Sequence, residues 1–314
     1  MKTILSGIKP TGRPHLGNYF GMMKQLVDMQ KEGNIMALIV DYHALNFIQN
    51  ADMMRELTKE IAIDYLVLGF DAEKNVLFKQ SDVPEHTELA WIFDTIMTVP
   101  YLKRAHAYKD AVEKGKEDEV SMGTFNYPML MAADILLYEP DIVPVGLDQK
   151  QHIEFARDTA EKFNRTFGET FKLPTEHIME SVQTVPGIDG RKMSKSYDNY
   201  ISLFAEDKEI EEKVMAIVTD SKAEYPENVF HMHKLFRRVE ELDKIYEENK
   251  GKYKVVKEML IEDLKKFIAP LREKRADISG SPEKIKEVLE KGKEKAAALA
   301  AAKMTQIKRA IGVL

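Results

Sequence analysis

The chain contains no cysteine among its 314 residues, which excludes disulfides, zinc–thiolate sites and iron–sulfur clusters. It also lacks any apolar run that approaches the length of a membrane span. The first residues, "MKTILSG", pass directly into polar, glycine-rich sequence and do not form the apolar segment of a signal peptide. We therefore expect a soluble, cytoplasmic protein with no membrane partner.

Charge is moderate in amount but unevenly distributed. The whole chain carries a formal net charge of −6, with 44% hydrophobic and 31% charged residues, as is ordinary for a globular protein. Residues 251–314 hold 16 Lys plus Arg against 9 Asp plus Glu, a net +7, which leaves −13 for the first 250 residues. Such a basic segment fits a polyanion partner. A lysine-rich, solvated helix face is the alternative, and composition alone favours it.

Strand signals are confined to the first two thirds of the chain. Four short apolar runs predict buried strands, at residues 3–7, 35–43, 75–80 and 141–146. Helical spacing at residues 51–69 and 84–97 separates them, and Trp91 within the second helix is interpreted as a core residue. Strands separated by helices predict an α/β fold with a doubly wound parallel sheet.

Strand signals stop after about residue 200. Residues 235–249, 253–268 and 282–311 are rich in Glu, Lys, Ala and Leu at helical spacing. We predict an α/β domain at residues 1–200, with a helical insertion, and an all-helical C-terminal domain at residues 201–314. The last helix is a candidate to pack back on the first domain.

A glycine-rich segment, "SGIKPTGRPHLGNYFG", follows the first predicted strand at residues 6–21. Doubly wound folds bind ligands at this edge of the sheet. Glycines let a phosphate or ribose approach the backbone, and His15 and Asn18 would add donors to phosphate oxygens. Neither G-x-G-x-x-G nor a G-K-[ST] ending occurs here. Taken alone, such a loop is more often a turn than a catalytic site.

A second segment, "GIDGRKMSKSYDN" at residues 187–199, places Arg191, Lys192 and Lys195 within five positions. Like charges so close together repel one another unless they face solvent or an anion such as a polyphosphate. A basic surface loop is the simpler interpretation of this segment alone.

The two segments together resemble the paired signatures of the class I aminoacyl-tRNA synthetases. "PHLGN" (residues 14–18) is similar to the first signature, usually written HIGH, and "KMSKS" (residues 192–196) matches the second letter for letter. Residues 6–21, "YPMLMAADIL" (127–136) and "VPVGLDQKQHIE" (143–154) closely resemble the bacterial-type tryptophanyl-tRNA synthetases. The resemblance implies a Rossmann-type catalytic domain that uses ATP and Mg²⁺ to form an aminoacyl-adenylate, followed by transfer to tRNA.

Asp134 interrupts the apolar stretch "MLMAADILLY" and must be either paired or in contact with a ligand. A carboxylate in an apolar, Met-lined pocket suits an aromatic ring with one N–H or O–H donor, so tryptophan and tyrosine both qualify. The resemblance implies that Asp134 accepts the indole N–H, with Met131 against the ring. Tyrosyl relatives usually place Gln where Met131 stands.

The resemblance also implies residues for each part of the site. An ATP site would comprise Lys9, Pro10, Thr11, Gly17, Asn18, Gly146, Leu147, Asp148, Val185, Lys192, Met193, Ser194, Lys195 and Ser196. Catalytic contacts to the phosphates would come from His15, Asn18, Lys109, Lys192 and Lys195. The tryptophan site would comprise Leu5, His43, Tyr127, Met131, Asp134 and Gln149. For His43, a role in the core, or in support of the residues that contact the ligand, is a comparable alternative. Magnesium would be held mainly by the ATP phosphates and by no protein ligand.

Departures from the family pattern concern Leu5, Lys9 and Ala111, where Phe, Gln and a second Lys are common.

The family implies a homodimer that charges tRNA(Trp) with L-tryptophan, with the helical domain reading the anticodon. Three alternatives stay open: a tyrosyl-tRNA synthetase, a synthetase-like binding protein without activity, and a nucleotidyltransferase of the same superfold.

Overall fold

Five parallel strands form the centre of the computed structural model, which describes residues 2–10, 12–145, 150–178, 185–219 and 225–314. The strands are β1 (Lys2–Ile8), β2 (Gly33–Ile39), β3 (Val76–Lys79), β4 (Val143–Val145) and β5 (Glu176–Ile178). β1, β2 and β3 pair side by side, as do β4 and β5. A parallel bridge from Ile4 to Ile142 joins the two groups in the order β3-β2-β1-β4-β5. The predicted doubly wound parallel sheet is confirmed, and its topological switch point lies between β1 and β4.

Helices cover both faces of this sheet and make up the C-terminal third. Those of the first 200 residues are α1 (Leu16–Asn18), α2 (Lys24–Asp28), α3 (Asp41–Ala44), α4 (Ala51–Val67), α5 (Glu85–Ile96), α6 (Val99–Leu102), α7 (His106–Glu113), α8 (Met122–Leu136) and α9 (Lys150–Phe167). A π-helical turn, Tyr19–Met23, joins α1 to α2. The later helices are α10 (Asp207–Met215), α11 (Glu227–His233), α12 (Val239–Glu248), α13 (Tyr253–Ser279) and α14 (Pro282–Ala310). Across the described ranges, no helix is both long and apolar enough to cross a bilayer.

Alternate residues of each strand serve two separate cores, as a sheet covered on both faces requires. One face of β1 and β2 contributes Ile4 and Ile35 to a core shared with α4 and α13. The other face contributes Leu5 and Met36 to a core shared with α5, α8, α9 and α14. Leu5 therefore lies on the same face of the sheet as the helix that carries Asp134.

The last helix, α14, packs against β3. A Cβ atom at Gly292 would lie only 1.9 Å from the carbonyl oxygen of Leu77. Among the described strands β3 is at the edge, so the helix covers backbone that would otherwise be open to pairing. Ala296, Ala300 and Met304 of this helix are buried in the core that contains Leu5.

Two sequence predictions are wrong in detail. The second strand ends at Ile39 and not at residue 43, because its pairing with β3 ends there and Asp41 instead begins the short helix α3. Trp91 is not a core residue, since it is 69% exposed. Helix α5 turns Leu89 and Phe93 inward, and Trp91 lies midway between them on the opposite side of the helix.

Candidate active site

The first signature is folded around His15, which caps the helical turn that follows. The backbone N–H of Asn18 donates to Nδ1 of His15 (3.2 Å), and the N–H of His15 donates to Oδ1 of Asn18 (3.1 Å). Because Nδ1 accepts, the proton of neutral His15 is on Nε2. Because Oδ1 of Asn18 is engaged, its Nδ2 amide is the group left to donate to a ligand.

The second signature lies directly against the first. The Gly17 N–H donates to the Met193 sulfur at 3.3 Å. A Cβ atom at Gly12 would lie 3.2 Å from Nζ of Lys195. The segment that follows the second signature also pairs with the first, since the Leu16 N–H donates to the Ile201 carbonyl at 3.1 Å. Residues about 180 positions apart in the sequence therefore form one surface.

The charges of this surface are set by burial and proximity. Burial, with Lys195 nearby as the second cause, lowers the pKa of His15 to about 4. His15 is therefore a neutral Nε2–H donor at pH 7. Burial also lowers the pKa of Lys195, with a smaller opposing effect from Asp64. The site thus presents cationic and neutral donors together, which suits an anion with several oxygens.

Asn199 organises the second signature and was given no role by the sequence reasoning. Its Oδ1 accepts from the Ser194 N–H (2.7 Å), and its Nδ2 donates to the Lys192 carbonyl (3.1 Å) and to Oδ1 of Asp189 (2.7 Å). Asn199 is 1% exposed. Its position at the end of a glycine-containing turn was the only sequence signal. Ser194 also caps the turn, accepting from the Ser196 N–H at 3.2 Å.

Asp134 is buried on α8 at the centre of a hydrogen-bonded cluster. Its Oδ1 accepts from Nε2 of Gln80 and pairs with Nδ1 of His86, both at 2.7 Å. Its Oδ2 pairs with Nε2 of His43 at 3.1 Å. Burial opposes ionisation, but the hydrogen bonds from His43 and His86 outweigh it and lower the pKa of Asp134 to about 2. The group is a carboxylate that only accepts hydrogen bonds.

The two oxygens of Asp134 differ in how fully they are occupied. Oδ1 has two partners, while Oδ2 has His43 alone among the described residues. A carboxylate oxygen accepts two hydrogen bonds readily, so Oδ2 is the oxygen with room for a further donor. His43 thus belongs to the Asp134 cluster. It is buried, and its contact with Oδ2 is consistent with a role in support of Asp134.

Tyr127, Met131 and Asp134 share one face of α8, being four and three residues apart. The ring of Tyr127 lies edge-on to that of His43, with centroids 6.4 Å apart, and its hydroxyl meets Nε2 of His152 at 2.7 Å. Burial raises the pKa of Tyr127, so its hydroxyl keeps its proton. One aromatic, one thioether and one carboxylate therefore face the same direction.

The remaining predicted residues are placed less closely. Lys9 is exposed, with Nζ 4.8 Å from the ring centre of Phe47, and Pro10 beside it is buried. The carbonyl of Val185 accepts from the Met193 N–H at 2.9 Å. Lys109 is exposed on α7, and no hydrogen bond or ion pair within the described ranges joins it to the signatures. Thr11, Gly146, Leu147, Asp148 and Gln149 lie outside the described residues.

Residues that the sequence reasoning missed include Gln80, His86 and Tyr138, which support Asp134 from behind. Nε2 of His86 meets the Tyr138 hydroxyl at 2.8 Å, and both His86 and Gln80 are fully buried. Polar residues in apolar stretches were the available signal.

For metals, the described ranges contain no group of three or more His, Asp or Glu side chains that could hold an ion.

Comparison with known proteins identifies similar sequences over the full length. Residues 1–277 match the family described as tRNA synthetases class I (W and Y). A tryptophan–tRNA ligase of Fusobacterium nucleatum is 44% identical over 324 residues, covering 100% of this chain and 99% of the relative. One from Rhodopirellula baltica is 41% identical over 99% of both chains.

A solved structure is similar over the same extent. The tryptophanyl-tRNA synthetase of Campylobacter jejuni, crystallised with ADP and tryptophan, has a TM-score of 0.91 and 41% sequence identity, covering 99% of each chain. At this level the similarity extends beyond the sheet to the C-terminal helices.

Proposed function

The chain belongs to the class I tRNA synthetases of the tryptophan and tyrosine group, and we propose that it charges tRNA with tryptophan, which it recognises through Oδ2 of Asp134. It is an ATP-dependent tryptophan–tRNA ligase of the bacterial type. The observation that carries the residue assignment is the pairing of Asp134, an ionised, buried carboxylate. Within the described ranges its Oδ1 has two partners and its Oδ2 has only His43, so Oδ2 can accept one more hydrogen bond.

The indole N–H of tryptophan suits Oδ2 of Asp134. It is a single donor at the edge of a large apolar ring, and it would complete the hydrogen bonding of Oδ2. Met131 and Tyr127 on the same helix face would contact the ring, with Leu5 and Gln149 completing the pocket. A phenol would meet Met131, which offers it only a weak acceptor. A buried group left unpaired by the wrong ligand makes such discrimination large.

Activation joins the tryptophan carboxylate to ATP. A carboxylate oxygen attacks the α-phosphorus, the bond from that phosphorus to the bridging oxygen breaks, and pyrophosphate leaves with the electron pair. The protein makes no covalent bond in this step, so its work is alignment and charge stabilisation. Magnesium, held mainly by the phosphates, supplies further positive charge when bound.

The two signatures provide the stabilising donors. Lys192 and Lys195 would meet the pyrophosphate oxygens, with Nε2–H of His15 and Nδ2 of Asn18 as neutral donors beside them, and Lys109 as a further cation. Lys9, Pro10, Thr11 and Gly17 would hold the nucleotide along the first signature. The ATP site would be completed by residues of the second signature and of the segments before it, namely Gly146, Leu147, Asp148, Val185, Met193, Ser194 and Ser196. In the second step the 2′-hydroxyl of the terminal adenosine attacks the acyl carbon, and AMP leaves.

The tRNA partner would bind the helical domain at residues 201–314, and the catalytic domain would span residues 1–200. Half of the sixteen basic side chains at residues 251–314 contact parts of the chain outside their own helix. These are Lys257, Lys265, Arg272, Lys274, Arg275, Lys291, Lys303 and Lys308. The other eight are therefore the candidates for phosphate contacts.

We also propose a cytoplasmic homodimer. Large apolar side chains are exposed on three helices, namely Trp91 (69%) on α5, Val99 (57%) on α6 and Met122 (74%) on α8. Contiguous exposed apolar surface typically marks an interaction site, and we propose that these three side chains lie in the contact between subunits. Sedimentation equilibrium at micromolar concentration tests the dimer, and a monomer mass would contradict it.

ATP–pyrophosphate exchange with tryptophan and with tyrosine in parallel, without tRNA, tests the activity. We expect exchange with tryptophan only. The Asp134→Asn variant should lose about 10- to 100-fold in kcat/KM for tryptophan, as expected for a hydrogen bond to a charged group. Exchange with tyrosine alone would assign the chain to the tyrosyl enzymes, and exchange with neither would indicate a protein without adenylating activity.

A further inference from the structure

Arg275 of α13 is the best-buried cation between the helical domain and α4. Its side chain is 12% exposed, against 64% for Arg13. Its Nε donates to Oδ1 of Asp64 at 3.0 Å, and its Nη2 donates to Oε2 of Glu60. One side chain therefore holds two carboxylates of α4 in fixed positions, as the planar guanidinium allows.

Glu60 connects this pair to the first signature. The same Oε2 atom accepts from Nε of Arg13 at 3.2 Å. Arg13 directly follows Gly12, the residue whose Cβ would lie 3.2 Å from Nζ of Lys195. A continuous set of contacts thus runs from α13 through Glu60 to the loop that meets Lys195.

Arg275 has a second connection to the same loop. Its guanidinium lies 4.9 Å from the ring centre of Phe204. Phe204 belongs to the segment that pairs with the first signature, where the Leu203 N–H donates to the Pro14 carbonyl at 3.0 Å. Arg13 and Pro14, the two residues that precede His15, are therefore both connected to one guanidinium, Arg13 through Glu60 and Pro14 through the segment that contains Phe204.

The contacts of Arg275 with Asp64 and Glu60 are a poor source of folding stability. Asp64 is fully buried, its Oδ2 has no partner among the described residues, and burial raises its pKa to about 7 in spite of Arg275. Buried ion pairs often contribute less to stability than apolar side chains of similar volume. What such bonds do provide is a defined direction for each group, which an apolar contact does not.

We propose that Arg275 is a positioning residue for the ATP site, which it serves by holding Glu60, Arg13 and Phe204 and so fixing the first-signature loop against Lys195. The inference rests on the proposed function, because ATP is the ligand that this loop would contact. It makes the helical domain a structural part of the adenylation site. Small displacements of positioning groups can lower the rate of a reaction by about 100-fold.

The test compares Arg275→Met with Lys274→Met in the full chain. Lys274 is a matched control because it is the adjacent cation of α13 and also docks on α4, with Nζ donating to the Val67 carbonyl at 2.7 Å. We expect Arg275→Met to lower kcat/KM for ATP in pyrophosphate exchange by about 10-fold or more. The KM for tryptophan should stay within about twofold, and Lys274→Met should change neither value by more than that.

Two further measurements separate positioning from docking. Hydrogen–deuterium exchange of residues 12–18 should become faster in Arg275→Met and stay unchanged in Lys274→Met. Glu60→Gln and Arg275→Met should be non-additive when combined, since both remove the same ion pair. If Arg275→Met fails to fold, Arg275→Lys serves instead. It keeps the positive charge but loses the planar guanidinium that donates to Asp64 and Glu60 together, so it should show a smaller loss of kcat/KM for ATP and faster exchange at residues 12–18.

Equal effects of the Arg275 and Lys274 variants on kinetics and on exchange at residues 12–18 would overturn the inference and leave Arg275 with a docking role alone. Absence of pyrophosphate exchange in the unmodified protein would instead contradict the proposed function. Hydrogen–deuterium exchange still reads the Arg275 contact in that case, so the two failures are distinguishable.

Discussion

The imidazole of His86 lies with Nδ1 2.7 Å from Oδ1 of Asp134, and both side chains are buried. Since Asp134 is ionised and can only accept, Nδ1 of His86 must donate. The other ring nitrogen meets the Tyr138 hydroxyl at 2.8 Å. His86 thus occupies Oδ1 of Asp134, and Oδ2 is the oxygen that we propose accepts the indole N–H.

Two amide substitutions at His86 separate its nitrogens. The amide of His86→Asn can take the place of Nδ1 and keep the hydrogen bond to Asp134, whereas that of His86→Gln reaches the position of Nε2 and loses it. We expect His86→Gln to raise the KM for tryptophan by about 10-fold, and His86→Asn to raise it much less. The KM for ATP should not change in either variant. Equal tryptophan KM values for the two variants would contradict this assignment.

Lys195→Ala tests the role of the second signature. Because Lys195 would stabilise charge that develops on the leaving pyrophosphate, kcat for adenylate formation should fall by about 100-fold while the KM for tryptophan changes little. Arg191→Ala is the control, since Arg191 is a nearby cation that is paired with Asp189. Single-turnover measurements of adenylate formation provide the values, and an unchanged kcat would remove Lys195 from the chemical step.

The neutral state of His15 predicts a dependence of stability on pH. Its pKa is about 4 in the folded chain and 6.5 when unperturbed, so between these values the unfolded chain binds more protons and stability rises with pH. From pH 5 to pH 7 this group should add about 1–2 kcal/mol to the free energy of unfolding. Urea denaturation of the protein and of His15→Asn at both pH values measures the difference. If the free energy of unfolding depends on pH identically in the two proteins, His15 is protonated as easily in the folded chain as in the unfolded chain.

Replacement of Gly292 tests the contact between α14 and β3. Alanine normally stabilises a helix by about 1 kcal/mol over glycine, but here its Cβ would meet the Leu77 carbonyl at 1.9 Å. We expect Gly292→Ala to lower the free energy of unfolding by about 2 kcal/mol or more. Gly21→Ala is the control, because a Cβ there meets nothing within 4 Å. Thermal denaturation compares the two, and a melting temperature for Gly292→Ala at or above that of the unmodified protein would contradict the close approach.

The sequence predicted the sheet because its strands are short, apolar runs with helices between them. The runs at residues 3–7 and 75–80 correspond to β1 and β3 within one or two residues. The prediction of a strand at residues 35–43 was wrong at its C-terminal end, since polar residues that follow a strand can begin a helix as easily as they extend the strand. Asp41 does so because Ser81, from the turn after β3, donates its N–H to Oδ1 of Asp41 at 3.0 Å.

The candidate site was predictable where residues form a linear motif. Both signatures were found, as was Asp134, because each stands out within its own segment. The supporting residues His86 and Arg275 were not, because they act on groups 48 and 211 positions away along the chain. The fold alone brings those partners together. Trp91 shows the reverse error, in which an apolar residue within an amphipathic helix was placed on the buried side.

Helix α14 covers β3 although some 200 residues of chain separate them. A ribosome that adds about 5–20 residues per second takes roughly 10–40 s to synthesise that interval. During this time the apolar surface at β3 emerges without the helix that covers it. The order of synthesis therefore delays completion of this core until α14 is made, and we expect the nascent chain to be prone to aggregation in that interval.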